Sequence, residues 1–268
     1  MSKGEATIWE HLEELVIRLR RALLALFIAS VVVPFLPNPL TLLEGGGYSP
    51  LLFSVHYFIR GYVIPDSITV GGKTIEIHLV SRDPFAGIKL TLYTMLLIGV
   101  VVAGPYMAYE IYAFLKPALY PHEERALKRG ALASAALFFI GALLALFVLL
   151  PITYRIMFTM MYLIAGELAA YADYSEVFKS ALLITLATGI AFQTPLVVFV
   201  LVYYDVVRIS VFGKTMRYAL VAAAIVAAIV SPDPSGIGML ILLVPYFGLV
   251  VLAVALANWM KKSKTRGW

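Results

Sequence analysis

The chain reads as an all-α polytopic membrane protein: six transmembrane helices, both termini cytoplasmic, two short C-terminal spans and an outer cap built from the first loop. Three observations carry that reading. The 268 residues are 62% hydrophobic and only 14% charged, with a mean hydropathy of +0.91. The apolar residues gather in six runs, and basic residues recur on alternate sides of those runs. Soluble domains are about 45–50% apolar and about 25% charged, so the surplus exceeds what one buried core absorbs. Cytosolic enzymes and nucleic-acid binders are largely excluded. With no cysteine, so are disulfides, thiolate metal sites and cysteine nucleophiles. The histidines, His11, His56, His78 and His122, form no HExxH-type zinc pair, so no cofactor is expected. Amides are scarce (Asn38, Gln193 and Asn258), which fits a hot-living source.

The first apolar run is about Ala22–Phe35 and the second Ile88–Phe114, interrupted by Gly104-Pro105. The third is Gly130–Met157 with Pro151 near its end, followed by Val177–Tyr204, Tyr218–Val230 and Ile237–Met260. The fifth spans only about 20 Å at 1.5 Å per residue, against a hydrocarbon core of about 30 Å. Either flanking polar residues extend that helix or the bilayer thins around it, and thinning is the expectation. No small-residue cleavage site follows the first run, so it reads as a retained helix.

Orientation follows from charge. Lys3, Arg18, Arg20 and Arg21 precede the first run, and Lys116, Arg125, Lys128 and Arg129 lie between the second and third. Arg208, Lys214 and Arg217 lie between the fourth and fifth, and Lys261, Lys262, Lys264 and Arg266 follow the sixth. The opposite side offers Arg60, Lys73 and Arg82, and an acidic loop with Glu167, Asp173 and Glu176. The positive-inside rule therefore places both termini in the cytoplasm.

Residues 1–268 form one membrane domain. Within it, 1–21 is expected to be an amphipathic helix on the inner surface: Thr7–Glu10 is a capping box, and Ile8, Leu12, Leu15 and Leu19 share a face. Residues 36–87 are the outer cap. There Pro50–Gly61 suits a short interfacial helix, and Ser67–Val70 with Thr74–Ile77 a hairpin about Gly71-Gly72. Asp83-Pro84 supplies an N-cap and N1 proline for the second span. Residues 115–129 form the first cytoplasmic loop.

The candidate chemistry lies in carboxylates and one amide. Glu10, Glu13 and Glu14 lie on the polar side of the N-terminal segment. Spacing leaves Glu14 two roles: a pair with Arg18 one turn on, worth about 0.3–0.5 kcal/mol, or ligand binding. Glu123 and Glu124 follow Pro121, where they stabilise a helix start or bind a ligand. Glu110 sits near the inner end of the second span. Gln193 sits mid-span, where it either faces a partner or satisfies backbone groups freed by Pro195. Asp233, in Ser231–Ser235, suits a tight outer turn.

Several of these segments together carry a family resemblance. His11-Leu-Glu-Glu-Leu-Val-Ile-Arg-Leu19 resembles the H-L-x-E-L opening of TatC, the core subunit of the twin-arginine protein translocase. Asp83–Leu90 resembles its P-F segment, Phe114–Arg125 its first cytoplasmic loop F-x-x-P-x-L-Y-x-x-E-R, and Gly189–Pro195 its fourth-span F-E-x-P motif with one change. The resemblance implies a receptor in the cell membrane for folded proteins exported under the proton-motive force, not an enzyme. Their signal peptides carry two consecutive arginines. It assigns the binding of that pair to Glu14 and Glu123, with Glu13 and Glu124 beside them, and gives Gln193 a contact with the single-span partner TatA. A TatB-like subunit and a homo-oligomeric active complex are also implied. A carboxylate suits the task because guanidinium offers a planar fork of donors that a lysine cannot reproduce.

The chain departs from the family pattern in places. Val16 and Ile17 stand where the family commonly has a basic residue, with Arg18 following. Gln193 replaces a glutamate, and Glu110 falls where relatives carry an amide. This apparent exchange suggests that a carboxylate has moved across one shared polar pocket. The alternative reading is a proton-coupled secondary transporter using Glu110, which calls for an internal repeat that the sequence lacks.

Overall fold

The computed structural model describes residues 8–38, 47–81, 83–115, 124–166, 171–203, 209–231 and 235–265. Helix α1 covers Ile8–Val32 and ends in a 3-10 turn, Val33–Phe35, at Pro34. The expected surface helix does not turn before the first span: α1 is one unbroken helix. The stretch between Leu19 and Leu26 holds neither glycine nor proline to bend it.

The next segment folds as expected, with shifted edges. Helix α2 (Leu51–Phe58) continues as a π turn through Val63. Strands β1 (Ser67–Val70) and β2 (Lys73–Glu76) pair antiparallel with Ile68 opposite Ile75. The second strand starts one residue earlier than read from the sequence, because Gly71 and Gly72 alone make the turn. Both have positive φ, as a two-residue hairpin of this kind requires. Strand β3 is His78–Val80.

Helix α3 spans Ala86–Leu115 with Pro105 inside it. Asp83 Oδ1 accepts the Phe85 N–H at 2.8 Å and its carboxylate pairs with Lys89, so regular helix begins at Ala86 rather than at Pro84. Helix α4 (Glu124–Leu144) runs through a π turn, Ala145–Leu149, into α5 (Leu150–Ala165). Pro151 explains the turn. It has no N–H for the Phe147 carbonyl four residues back, and its ring crowds that position. Tyr62 Oη donates to the Phe147 oxygen instead, at 3.2 Å.

Strand β4 (Tyr171–Asp173) pairs parallel with β3, an element the sequence reading missed. Asp173 then caps α6 (Tyr174–Ala191), its side chain accepting from the N–H groups of Ser175 and Glu176. Helices α7 (Thr194–Tyr203), α8 (Ile209–Val230) and α9 (Ile237–Thr265) complete the chain.

Among the described residues four stretches are long and apolar enough to cross a membrane: Ala86–Ile111, Leu132–Ala165, Tyr174–Tyr203 and Ile237–Lys261. The fifth apolar run, Ala219–Val230, lies inside the 22-residue α8. The polar residues before it are helical, which supplies the length that the flank-extension reading needs. The Asp233 turn lies outside the described residues.

Glycines set the helix spacing. A Cβ on Gly99 of α3 would lie 2.0 Å from Ser30 Oγ of α1. The buried Phe138 ring of α4 fills the space above two more: a Cβ on Gly104 of α3 would lie 1.9 Å from it, and one on Gly189 of α6 2.8 Å. Phe138 therefore wedges α4 against both α3 and α6. At the strand-bearing end, the half-buried His56 of α2 stacks on Tyr174 (centroids 5.5 Å) and Phe178 (5.0 Å) of α6, and its Nε2 lies 2.9 Å from Tyr174 Oη. Fully buried Tyr154 of α5 donates to the Val177 carbonyl at 2.7 Å, tying α5 to α6.

Gly104→Ala is expected to destabilise the protein by about 1–3 kcal/mol through overpacking. In detergent its thermal midpoint should fall, whereas Gly248→Ala, where a Cβ meets nothing within 4 Å, should leave the midpoint unchanged or raised. Burial holds the His56 imidazole below its ordinary pKa, so the native protein takes up this proton less readily than the unfolded chain. Stability from this group is therefore intact above about pH 6.5 and lost as pH falls through the lowered value. Thermal melts between pH 7.5 and 5 should show that loss, and His56→Phe should flatten it.

Candidate functional site

Away from the strands, α1 and α3 run antiparallel: Ser30 meets Gly99 near one end and Arg18 meets Glu110 near the other. This places three charged side chains in one chain of contacts. Arg18 Nε and Nη2 both donate to Glu14 Oε1, at 2.9 and 2.7 Å. Arg18 Nη1 donates to Glu110 Oε2 at 3.2 Å, and Tyr106 Oη donates to Glu110 Oε1 at 2.6 Å. Glu110 is thus satisfied on both oxygens. Among the described residues nothing bonds to Glu14 Oε2. The two carboxylates differ sharply in access, with 30% of the Glu14 side chain exposed against 4% for Glu110. Burial pulls on the Arg18 guanidinium, but the bonds and charges of Glu14 and Glu110 outweigh it. Its pKa lies above the ordinary value and it stays charged.

The pair between Glu14 and Arg18 matches their i,i+4 spacing. The third partner, Glu110, was invisible at that level because it depends on how α1 packs against α3. Tyr106 had a signal, since it stands four residues before Glu110 on the same helix. Glu13 is exposed beside Glu14 and takes no part in this network. Glu123, and the side chain of Glu124, lie outside the described residues, as do residues 116–122 before them.

Gln193 sits at the break between α6 and α7. Its N–H donates to the Ile190 carbonyl, and its side-chain Nε2 reaches the Gly189 carbonyl at 3.4 Å and the Ser134 carbonyl at 3.2 Å. Oε1 accepts from Ser134 Oγ at 2.8 Å. Gln193 therefore fastens α4 to a helix break next to Pro195. Nothing among the described residues bonds to both Gln193 and Glu110.

A family model described as the Sec-independent protein translocase protein (TatC) matches residues 10–245. The chain belongs to the TatC family. The TatC of Aquifex aeolicus is 28% identical over 70% of this chain and 78% of its own length, and that of Cenarchaeum symbiosum is 28% identical over 98% and 99%. A crystal structure titled as the twin arginine translocase receptor TatC superposes with a TM-score of 0.65 at 25% identity, covering 93% of this chain and all of its own. The protein is thus a translocase-family membrane component with several apolar helices.

The ion-pair network yields a stability prediction for this TatC-family chain. Removing one partner of a buried charge pair costs about 3–5 kcal/mol. Arg18→Gln should lose stability toward the lower end of that range, because Arg18 is partly exposed. Adding Glu110→Gln should restore much of the loss, since the neutral amide introduced there can still accept from Tyr106. Thermal melts of the single and double variants in detergent measure the coupling.

Proposed function

We propose that the chain is the receptor subunit of a twin-arginine export machine in the cytoplasmic membrane, with six spans and both termini in the cytoplasm. It binds the consecutive arginines of signal peptides on folded cargo through Glu14 and Glu123, with Glu13 and Glu124 adjacent. It recruits a TatA-type single-span subunit, with Gln193 as one contact, for export driven by the proton-motive force. That single-span subunit is of the TatA or the TatB type, and further copies of this chain join the active complex. The observation that carries this reading is Glu14: a half-buried carboxylate at the N-terminal end of α1, already shaped to a guanidinium and with an oxygen to spare. Family membership supports it independently. The transporter alternative requires a Glu110 open to water, and that carboxylate is 4% exposed with both oxygens engaged.

A charge-assisted hydrogen bond contributes about 1.5–3 kcal/mol, so loss of one carboxylate should weaken peptide binding about tenfold or more. In fluorescence titrations of a labelled signal peptide with paired arginines against the detergent-solubilised chain, Glu123→Gln should show that loss. Glu14→Ala should show a smaller one, because Glu13 is adjacent. Replacing both peptide arginines by lysines should reproduce the weakening on the unaltered protein. Equal affinity for the two peptides would refute the assignment.

A further inference from the structure

We infer that Arg18 is a resident guanidinium that occupies Glu14 in the empty receptor and is displaced by a cargo arginine, with Glu110 retaining it during the exchange. The inference rests on the reading of Glu14 as an arginine receptor and adds its regulation. Four features of the site support it. Arg18 presents to Glu14 the same chemical group that the cargo would bring. Its two donors converge on a single oxygen, Oε1, so among the described residues Oε2 stays open to a second guanidinium before the first has left. Glu14 is the accessible member of the carboxylate pair and Glu110 the buried one. Finally, Glu110 is held by Tyr106 as well as by Arg18, so it stays in place as an anchor.

The exchange then avoids the worst intermediate, an unpaired charge in an apolar bundle. An incoming arginine docks on Glu14 Oε2, Arg18 releases Oε1, and Arg18 keeps its Nη1 bond to Glu110. No buried carboxylate loses its cation at any step. Because the guest must supplant a guanidinium, a point-charged lysine competes poorly. Arg18 is thus a specificity-determining residue that sets the threshold for entry without touching the cargo.

The test uses the full chain in detergent, a labelled signal peptide with paired arginines, and the double variant Arg18→Gln/Glu110→Gln, which removes both members of the anchoring pair. Peptide affinity should rise about fivefold, the scale of one partly exposed ion pair released. In a Glu14→Gln background the same double change should give no rise. A merely structural Arg18 would leave affinity unchanged or lower it, and either result overturns the inference, as does a rise that survives Glu14→Gln. Should the double variant fail to fold, Arg18→Lys keeps a cation for Glu110 while weakening the hold on Glu14, and a smaller rise is expected; no rise again overturns the inference. If the unaltered protein discriminates arginine from lysine peptides but neither variant binds more tightly, the exchange fails and the receptor reading stands. If it does not discriminate, both fail.

Discussion

A carboxylate almost wholly withdrawn from water has to be accompanied by donors and a cation, and much of the arrangement at one end of this bundle answers to that requirement at Glu110. Arg18 must reach it from α1, which places α1 antiparallel along α3. Tyr106 must reach it from the turn below. Glu14 then shares the guanidinium from the water side. What begins as a solvation requirement at a buried carboxylate ends as the geometry of a half-buried one nearer the surface. The close approach at Gly99 and Ser30 makes the same alignment sterically possible at the other end of the helix pair.

The long elements could be read from periodicity and hydropathy because each depends on local composition. Ile237–Thr265 and the stretch from Glu124 to Ala165 are apolar over most of their length. The hairpin could be read from Gly71-Gly72, since only glycine makes that turn cheaply. The parallel pairing of His78–Val80 with Tyr171–Asp173 could not, because its partners are more than ninety positions apart and neither strand is long enough to show a pattern. The same limit applied to the site. Glu14 with Arg18 is a neighbour relation on one helix, whereas Glu110 with Arg18 and Gln193 with Ser134 exist only once helices have packed. Fold class follows from local statistics; the polar contacts between helices follow from tertiary register.

Two breaks in the backbone ladder lie near prolines, and each is fastened differently. At Pro151 the orphaned Phe147 carbonyl takes a tyrosine hydroxyl from the segment between α1 and α3. Next to Pro195 the Gln193 side chain turns back on its own helix and across to α4. In an apolar solvent an unpaired carbonyl is expensive, so both breaks double as fastenings between elements that hydrophobic contact alone would let slide.

The β3–β4 pair has a mechanical meaning. It holds the strand that precedes α3 by residues 81–85 beside the strand that runs directly into α6, at about 4.8 Å, by backbone bonds indifferent to side-chain chemistry. The tie therefore acts on α6 directly and on α3 only through residues 81–85. It stands at the opposite end of α3 from Glu110, so that helix is secured at one end by main-chain pairing and at the other by charge.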